Sequence, residues 1–477
     1  MFPRAPAGKR KIIAATNVAE TSITIEDIVA VIDTGRVKET SFDPQTNMVR
    51  LSETWASRAA CKQRRGRAGR VRAGECYKLY TRNAEAKMME RPDPEIRRVP
   101  LEQLCLSIKA MGVQDVSGFL ASALTPPEST AVEGAIKLLG QIGAIVDNDL
   151  TALGRHLSMI PADLRCSKLL VYGATFGCLE AALTITSVLT ARSPFLSPRE
   201  RDEETRNDFA RIRASFSQNQ GDLLVDLRAY EQWSALRAKG MPQRDLRSWC
   251  QDNRLSSQTL FDIASNRSQY ISSLKEISFI PTSYNSANPA THGVYNKYNS
   301  NDALLRALIA GSFNPQIARI ALPDKKFAAG IAGAVELDPE ARTIKYYNHE
   351  NGRVFVHPSS TLFSSQTFPS NCTFIAYFNK MATSKVFVRD LTPFNAYSLL
   401  MFAGGIQVDT LGRGLVIDEW IRLRGWARIG VLVSRLRGML DRVLERKVAE
   451  PGAEMGKKEK EVVDCVRWMV ERDGLDN

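Results

Sequence analysis

The sequence predicts a multidomain chain that joins an α/β segment, a run of helices and a small β-barrel. Short apolar runs near the start alternate with loops rich in hydroxyl groups, which is typical of a parallel α/β sheet. Residues 101–276 carry apolar side chains at helical spacing. Residues 316–391 hold several short β-like runs with turn residues between them, and this pattern favours a small barrel.

The charge of the chain points to a polyanionic partner. The 477 residues, enough for about three or four domains, carry a net charge of +12. Residues 1–82 alone hold 16 Lys and Arg against 8 Asp and Glu. A basic excess concentrated in this way indicates nucleic acid or a nucleotide ahead of a membrane surface.

Cysteine, histidine and apolar patterns exclude several other classes. The eight cysteines are scattered without a C-x-x-C pair, which predicts free thiols in a reducing compartment instead of disulfides or zinc. The four histidines are far apart, so the sequence predicts no metal site. No apolar run approaches about 18 residues and no signal-peptide pattern opens the chain. We therefore expect an intracellular protein of the cytoplasm or nucleus.

The α/β segment begins with two predicted strands. Lys11–Ala15 is expected to form a buried strand and residues 28–33 a second one. Ligands of parallel sheets bind at the carboxyl ends of strands, where the polar loop between these runs would lie. The hydroxyl and amide groups of this loop can bind phosphate or sugar, and the alternative is that they cap a helix. The polar residues concerned are Thr16, Asn17, Glu20, Thr21 and Ser22.

The most distinctive stretch of the sequence is Gln63–Arg70, which reads QRRGRAGR. Residues 58–72 contain seven basic residues and no acidic one. If the stretch is helical, Gln63, Arg67 and Arg70 share one face. Two glycines between them suggest that a ligand or another backbone comes close, since each costs a helix about 1 kcal/mol. Arginine side chains beside glycine backbone can bind the oxygens of a phosphoryl group during its transfer. The alternative is that the stretch is a solvated basic helix or a nuclear-targeting run.

Taken together, these stretches resemble a known family. The order ATNVAETSITI, VIDTG, a linker with Trp55 and Ser57, then QRRGRAGR is similar to motifs V and VI of the DEAH-box (DEAH/RHA) RNA helicases. The resemblance implies that residues 1–82 are part of the second of two RecA-like domains. In that family ATP binds between the two domains.

The resemblance also implies roles for individual residues. Gln63 would contact the γ-phosphate or the attacking water, and Arg67 and Arg70 would be arginine fingers. Ser22 would help to couple RNA to ATP, and Glu26 stands where the family often has an Asp near the ribose, so its contact is less certain. The RNA backbone would be held by Thr16, Asn17 and Thr21.

One departure from the family concerns the other half of the ATP site. The sequence contains no G-x-x-x-x-G-K-[ST] loop and no DEAH tetrapeptide. The expected cofactor is ATP with Mg²⁺, whose protein ligands would belong to a first RecA domain that this sequence lacks. Met1 is therefore expected to be a truncation point or a gene-model start, and the chain alone is expected not to turn over ATP.

The middle of the chain is predicted to be helical. In residues 83–152, two amphipathic helices precede a short hairpin around Asp147–Asp149, an order that indicates a winged helix with a structural role. Residues 153–282 read as a helical bundle with aromatic side chains in its core, and they resemble the ratchet region of the family. Residues 283–301 are rich in Asn, Ser and Tyr, which predicts a mobile loop or insertion.

The last third is predicted to be an OB-fold-like barrel, residues 302–425, followed by C-terminal helices and a solvated tail, residues 426–477. Its charge is nearly balanced, so composition alone gives weak support for a basic groove. The runs VFVHPSS and TSKVFVRDLT resemble the OB module of the family, whose loops approach RNA. The resemblance places His357, Ser359, Thr383 and Lys385 on the RNA side. For His357 the alternative is a capped turn before Pro358.

Two functions follow from these patterns. The first is the C-terminal part of an ATP-dependent RNA helicase that couples ATP hydrolysis to RNA translocation or unwinding. The alternative is a non-catalytic RNA-binding platform of a ribonucleoprotein. The expected partner is single-stranded or structured RNA, and the resemblance adds a G-patch-type activator or ribosomal and other ribonucleoprotein partners.

Overall fold

A computed structural model of the chain describes residues 8–21, 25, 27–43, 48–71, 73–198, 202–217, 219–324, 326–330, 333–337, 340–369, 372–383, 385–408 and 414–472. The chain forms two compact units, Met1–Leu101 with Ser117–Val132, and Glu102–Val116 with Glu133–Asn477. Across the described ranges, helices are too short or too polar to span a membrane. All eight cysteines are free and six are buried, which confirms the expected free thiols.

The first unit is built around a parallel pair of strands and a hairpin. Its elements are α1 (Val18–Thr21), β1 (Ala30–Asp33), β2 (Arg36–Asp43), β3 (Met48–Trp55), α2 (Arg58–Arg65), β4 (Glu75–Lys78) and α3 (Arg82–Lys87). Strand β1 pairs in parallel with β4, and β2 pairs antiparallel with β3. The turn between β1 and β2 requires Gly35, because its φ is +67° and a Cβ would lie 2.7 Å from the Tyr80 ring.

The predicted strand at Lys11–Ala15 is wrong. This segment has no regular structure, and the side chain of Ile12 is 93% exposed. Lys11 instead forms an ion pair with Asp27 at 3.2 Å. An apolar run becomes a strand only where a neighbour accepts its hydrogen bonds, and in the part of the unit that the structure describes β1 pairs with β4 instead.

Helices and a small hairpin follow in the order predicted for a winged helix. They are α4 (Glu102–Ala110), α5 (Val116–Ala121), α6 (Ser129–Ile142), β5 (Ile145–Val146), β6 (Asp149–Leu150) and α7 (Ala152–Met159). Asp147 and Asn148 both have positive φ, at 48° and 67°, as a two-residue type I′ hairpin turn requires. Lys109 of α4 is buried and donates to the carbonyl of Asn148 at 2.7 Å, which fastens the hairpin to the helix.

The predicted helical bundle is present. Its helices are α8 (Leu164–Phe176), α9 (Leu179–Ala191), α10 (Glu203–Phe216), α11 (Asp222–Ala238), α12 (Gln243–Asp252) and α13 (Ser257–Glu276). Gly177, with φ +73°, ends α8 in the left-handed conformation and allows the chain to reverse into α9. The aromatic side chains are core residues as expected, and Trp233 is 1% exposed.

The segment predicted as a mobile loop, residues 283–301, is anchored to the bundle. It contains the short helix α14 (Gly293–Asn296), and its asparagine side chains cap α9. The amides of Glu180 and Ala181 donate to Asn296 and Asn299 at 3.4 and 3.2 Å. The Tyr284 hydroxyl donates to the Glu180 carboxylate at 2.5 Å. The polar groups of this segment therefore satisfy a helix N-terminus, and the mobility expected of it stays a prediction.

The barrel is closed by five strands. The elements of this region are α15 (Asp302–Phe313), β7 (Ile317–Ala321), β8 (Lys326–Gly330), β9 (Gly333–Leu337), β10 (Lys345–Asn348), β11 (Gly352–Val356), β12 (Cys372–Ala382), β13 (Val386–Asn395) and α16 (Ala396–Phe402). Within the second unit the strand order is β13–β11–β10–β7–β12, and β12 pairs again with β13 to close the ring. Strand β11 runs parallel to β13, and the other neighbours are antiparallel.

The C-terminal elements pack into the main core. They are β14 (Ile406–Val408), β15 (Leu415–Ile417), β16 (Ile421–Leu423), α17 (Ala427–Ala449) and α18 (Lys457–Glu471). The predicted solvated tail is wrong for α18, because Val462, Val463, Val466 and Val470 are buried in the core of the second unit. The lysines and glutamates of this helix cover its other face, which is why charge content alone was misleading.

Candidate functional site

Helix α2 carries the first half of the Gln63–Arg70 stretch. Ser57 caps the helix by accepting from the amide of Ala60 at 3.2 Å. The helix ends at Arg65, and the chain continues through turns at residues 66–69. The prediction that the stretch is one helical face is therefore only partly correct: Gln63 lies in the last turn of the helix, exposed, and Arg67 and Arg70 follow its end.

Arg64 is the structural residue of this stretch, and sequence reasoning gave it no role. Its side chain is 15% exposed and donates to the carboxylate of Asp33 at 2.9 Å and to that of Glu20 at 2.6 Å. Burial alone would raise the pKa of Asp33, but the Gly35 amide and the Arg64 guanidinium hold it below its usual value. Through these two largely buried ion pairs, Arg64 of α2 connects this helix to α1 and to the end of β1.

Arg67 is also held against Glu20. Its guanidinium donates to the backbone carbonyl of Glu20, so α1 contacts Arg64 through a side chain and Arg67 through its main chain. Burial lowers the pKa of Arg67, and the nearby charge of Arg70 adds to that decrease. Two guanidiniums that repel each other at the end of α2 favour an anion beside them.

The glycines of the stretch leave its backbone bare. A Cβ on Gly66 would meet its nearest neighbours, carbonyls of its own helix, at 3.4 Å, and a Cβ on Gly69 would meet nothing within 4 Å. Among the described residues no other backbone comes close to either glycine, in contrast to Gly74, where a Cβ would lie 2.2 Å from the carbonyl of Ala68. The structure therefore shows no close backbone at Gly66 or Gly69 among the residues it describes, and a ligand at these glycines stays a prediction.

The polar loop after residue 15 leads into α1. Thr16 and Asn17 are exposed, and their carbonyls accept from the amides of Ala19 and Glu20 at 3.1 and 2.9 Å. Thr21 ends the short helix. The exposed pair therefore lies directly before the helix that contacts Arg64 and Arg67. The predicted nucleotide-side residues Ser22 and Glu26 lie outside the described residues.

The second group of predicted residues lies on the barrel, at the ends of two adjacent strands. His357 and Ser359 follow β11, and Thr383 and Lys385 precede β13; Ser359, Thr383 and Lys385 are exposed. The Nδ1 atom of His357 accepts from the Ser359 amide at 3.1 Å and contacts its hydroxyl at 2.8 Å, so the capped turn is present. Burial and the charge of Arg389 lower the pKa of His357. Because Nδ1 accepts from the Ser359 amide, the neutral imidazole carries its proton on Nε2.

Sequence reasoning missed the aromatic residues between these positions. Phe355 and Phe387 are register partners on the parallel strands β11 and β13, with ring centroids 6.2 Å apart. The Nζ of Lys385 lies 4.6 Å from the Phe355 ring, and the guanidinium of Arg353 lies 4.8 Å from it. The alternation of buried and outward residues in VFV and KVFVR was the signal that could have found them, because it puts aromatic and basic side chains on one face.

The candidate residues thus form two groups, one in each unit. In the first unit Gln63, Arg67 and Arg70 lie at the end of α2, and Arg67 reaches α1 behind Thr16 and Asn17. In the second unit, His357 and Lys385 lie beside the Phe355–Phe387 pair, and Ser359 and Thr383 are bonded to them. Within the described ranges no three His, Cys, Asp or Glu residues gather where a metal ion could bind.

Five protein-family models match successive parts of the chain. They are the helicase conserved C-terminal domain (residues 2–72), the winged-helix helicase associated domain HA2 (135–162), the ratchet-like HA2 domain (163–225), the oligonucleotide/oligosaccharide-binding OB-fold (305–406) and the C-terminal domain in RNA helicases (413–472). These matches confirm the predicted fold class: a helicase C-terminal α/β domain, a winged helix, a ratchet bundle and an OB-fold.

Curated relatives match nearly the whole chain. A putative DEAH-box ATP-dependent helicase of Mycosarcoma maydis is 42% identical over 100% of this chain, and a putative ATP-dependent RNA helicase of Schizosaccharomyces pombe is 40% identical over 98%. The ATP-dependent DNA/RNA helicase DHX36 of Homo sapiens is 36% identical over 94%. The chain spans 32%, 35% and 43% of the length of these relatives, respectively.

Proposed function

This chain belongs to the DEAH-box helicase family and corresponds to its C-terminal part, and on that premise we propose that it is the RNA-gripping, phosphate-sensing part of an ATP-dependent RNA helicase. In this proposal ATP hydrolysis is coupled to translocation along RNA or to its unwinding. Gln63, Arg67 and Arg70 face the γ-phosphate. Thr16, Asn17 and Thr21 hold the RNA backbone, and Ser22 and Glu26 contribute to the coupling and to the ribose site.

The observation that carries the proposal is the shared attachment of Arg64 and Arg67 to Glu20. Arg64 fixes the Glu20 carboxylate at 2.6 Å, and Arg67 donates to the carbonyl of the same residue. An anion that draws Arg67 toward itself would pull on α1, and α1 directly follows the exposed residues Thr16 and Asn17. Phosphate contact and RNA contact would therefore be coupled through one residue of the first unit.

The residues present suit the phosphate end of ATP. The guanidiniums of Arg67 and Arg70 supply forked donors, and the bare backbone at Gly66 and Gly69 leaves room for a close approach. ATP supplies the phosphoryl group whose transfer to water drives the cycle. Arg67 and Arg70 would neutralise the charge that develops on it, and Gln63 would orient the water. We propose that Mg²⁺ ligands and the P-loop belong to a preceding RecA-like domain, so that this chain alone does not hydrolyse ATP.

We propose that the barrel face formed by Arg353, Phe355, His357, Lys385 and Phe387, with Ser359 and Thr383 at its edges, is a second RNA contact. Its cations and aromatic rings match the groups that bind single strands without reading sequence. Neutral His357 offers an Nε2 proton to a phosphate or ribose oxygen. From the family we extend the proposal to partners of the G-patch or ribonucleoprotein kind and to a cytoplasmic or nuclear location.

RNA binding by the 477-residue chain tests this proposal. Titration of a fluorescein-labelled oligouridylate of about ten nucleotides at several salt concentrations should give an affinity that falls with salt. Lys385→Ala should weaken binding and reduce the slope of log affinity against log salt by about 1. Lys458→Ala, on the exposed side of α18, is the matched control and should leave both unchanged. Binding that is absent, or equally weakened by both substitutions, would contradict the proposal.

A further inference from the structure

The carboxylate of Asp222 in the helical bundle accepts hydrogen bonds from the barrel. Asp222 opens α11 and is 5% exposed. Its Oδ2 accepts from the Ser360 hydroxyl at 2.8 Å and from the Leu391 amide at 3.0 Å. Its Oδ1 accepts from the amide and the hydroxyl of Thr361 at 2.7 and 2.9 Å. All four donors belong to the barrel, so one buried carboxylate of the bundle fixes the end of the 357–361 loop and a residue of β13.

Arg213 completes this attachment from α10. One arm of its guanidinium donates to Asp222 at 3.3 Å, and the other donates to the carbonyl of Ser359 at 2.7 Å. The side chain is buried, and its guanidinium carbon lies 5.4 Å from the Phe195 ring. Because a guanidinium is a rigid planar fork, the carboxylate and the loop carbonyl are held at a fixed separation.

The backbone beside Asp222 is equally constrained. Gly221 has φ +97°, and a Cβ there would lie 2.4 Å from the carbonyl oxygen of Leu391. The start of α11 therefore touches the backbone of β13 directly. Asp222 cannot shift along the barrel without breaking this contact, which makes it a firm reference point for the loop.

The side chains of the 357–361 loop face two directions. Ser360 is buried and donates inward to Asp222, as does Thr361, whereas Ser359 is exposed and His357 is half-buried. His357 and Ser359 contact each other through Nδ1 and the hydroxyl at 2.8 Å. The inward residues thus decide how the outward pair is presented.

We propose that Asp222 and Arg213 are positioning residues for RNA: they set the conformation in which His357 and Ser359 meet the sugar–phosphate backbone of a single strand. This inference rests on the proposed function, since it assigns a support to the barrel contact proposed there. Neither residue touches RNA. Both act through the loop, and bundle movements would reach the RNA by this route.

A double-mutant cycle on the whole chain tests the proposal. His357→Ala and Asp222→Asn are measured singly and together for oligouridylate affinity, with thermal unfolding followed in parallel. We expect each single substitution to weaken binding by about tenfold, and the double variant to be weakened by about tenfold as well, because the two residues act on one contact. Losses that multiply to about a hundredfold, or an Asp222→Asn variant that binds like the wild type, would overturn the inference.

Two further variants separate positioning from loss of stability. Arg267→Lys disturbs a comparably buried arginine of the same unit, which is bonded to the Glu180 carbonyl at 2.8 Å. It should lower the unfolding temperature without weakening RNA binding. Ser360→Ala removes one inward donor while leaving the Asp222 charge in place, and it should weaken RNA binding by a fewfold. If Arg267→Lys weakens RNA binding as much as Asp222→Asn does, the effect is general destabilisation and the inference fails.

The same data separate this inference from the proposed function. Wild-type chain that does not bind the oligouridylate in a salt-dependent way contradicts the proposed function and this inference with it. Wild-type binding that Lys385→Ala weakens and Asp222→Asn leaves unchanged contradicts only the positioning role.

Discussion

The guanidinium of Arg64 lies 2.9 Å from the carboxylate of Asp33, and the Asp33 side chain is 1% exposed. The same carboxylate accepts from the Gly35 amide at 2.9 Å and from the Tyr80 hydroxyl at 3.2 Å. A carboxylate enclosed in this way depends on its cation. Arg64, in a stretch of similar arginines, is thus a residue on which the first unit depends.

Arg64→Ala should open the first unit. Removing one partner of a buried pair typically costs about 3–5 kcal/mol, because the remaining charge is stranded. Hydrogen exchange of the β1 and β4 amides, measured by mass spectrometry, should accelerate by roughly a hundredfold or more. The matched control is Arg65→Ala, which replaces an exposed neighbour and should stay within about 0.5 kcal/mol of the wild type. Equal exchange in the two variants would show that Arg64 is not structural.

Gly66→Ala and Gly69→Ala should separate stability from activity. Gly66 has helical dihedral angles, φ −64° and ψ −8°, and room for a methyl group, so alanine should preserve or increase stability by up to about 1 kcal/mol. When the chain is fused behind a P-loop-bearing RecA-like domain of a relative, both variants should nevertheless turn over ATP more slowly, because the methyl groups occupy the surface proposed for phosphate.

Two control glycines sharpen this comparison. Gly438→Ala, in the middle of α17 with nothing within 4 Å of a Cβ, should add stability without changing ATP turnover. Gly74→Ala should destabilise the first unit, since its Cβ would lie 2.2 Å from the carbonyl of Ala68. If Gly66→Ala and Gly69→Ala fusions hydrolyse ATP at the wild-type rate, no ligand approaches that backbone.

Asp226 should make the stability of the second unit depend on pH. Burial raises the pKa of its carboxyl from a usual 3.8 to about 7, with Arg213 opposing the shift and Asp222 and Asp390 adding to it. The folded state therefore holds the proton more tightly than the unfolded state does. Stability falls as the pH rises from about 4 to about 7 and levels off above, with a full cost of roughly 4 kcal/mol.

Asp226→Asn should remove this pH dependence. The asparagine oxygen can still accept from the Ser193 hydroxyl, which lies 2.9 Å from the carboxylate. The urea midpoint of the variant should exceed that of the wild type at about pH 8 and approach it at about pH 5. Asp245→Asn, at an exposed position of α12, is the control. A difference between Asp226→Asn and wild type that stays constant with pH would contradict the assignment.

Local patterns predicted the elements where short-range chemistry decides the structure. The hairpin at Asp147 and Asn148 follows from residues that tolerate positive φ. The barrel strands β11 and β13 follow from alternating apolar residues. In the site, the resemblance identified the stretch Gln63–Arg70, and the structure brings Arg64 and Arg67 into contact with Glu20 of α1, the helix that follows Thr16 and Asn17.

Long-range partners decided what the sequence could not predict. Nothing local distinguishes Arg64 from Arg65, because the partners of Arg64 lie 31 and 44 residues away. The role of Asp222 depends on donors 138 to 169 residues further on. The sequence did not reveal that the valines of α18 are buried, because charged residues flank them. An apolar run such as Lys11–Ala15 does not specify which strand it pairs with.

The most direct test of the helicase assignment is RNA-stimulated ATP hydrolysis by the fusion described above, compared with its Arg67→Ala and Arg65→Ala variants. We predict that the fusion hydrolyses ATP and the chain alone does not. Arg67→Ala should lower turnover by about 10³-fold or more, as expected for an arginine finger, with RNA affinity within about twofold of wild type, and Arg65→Ala should be nearly normal. If Arg67→Ala hydrolyses ATP as fast as Arg65→Ala, or if the fusion is inactive while the chain binds RNA, the phosphate-facing role is contradicted and the chain is an RNA-binding platform.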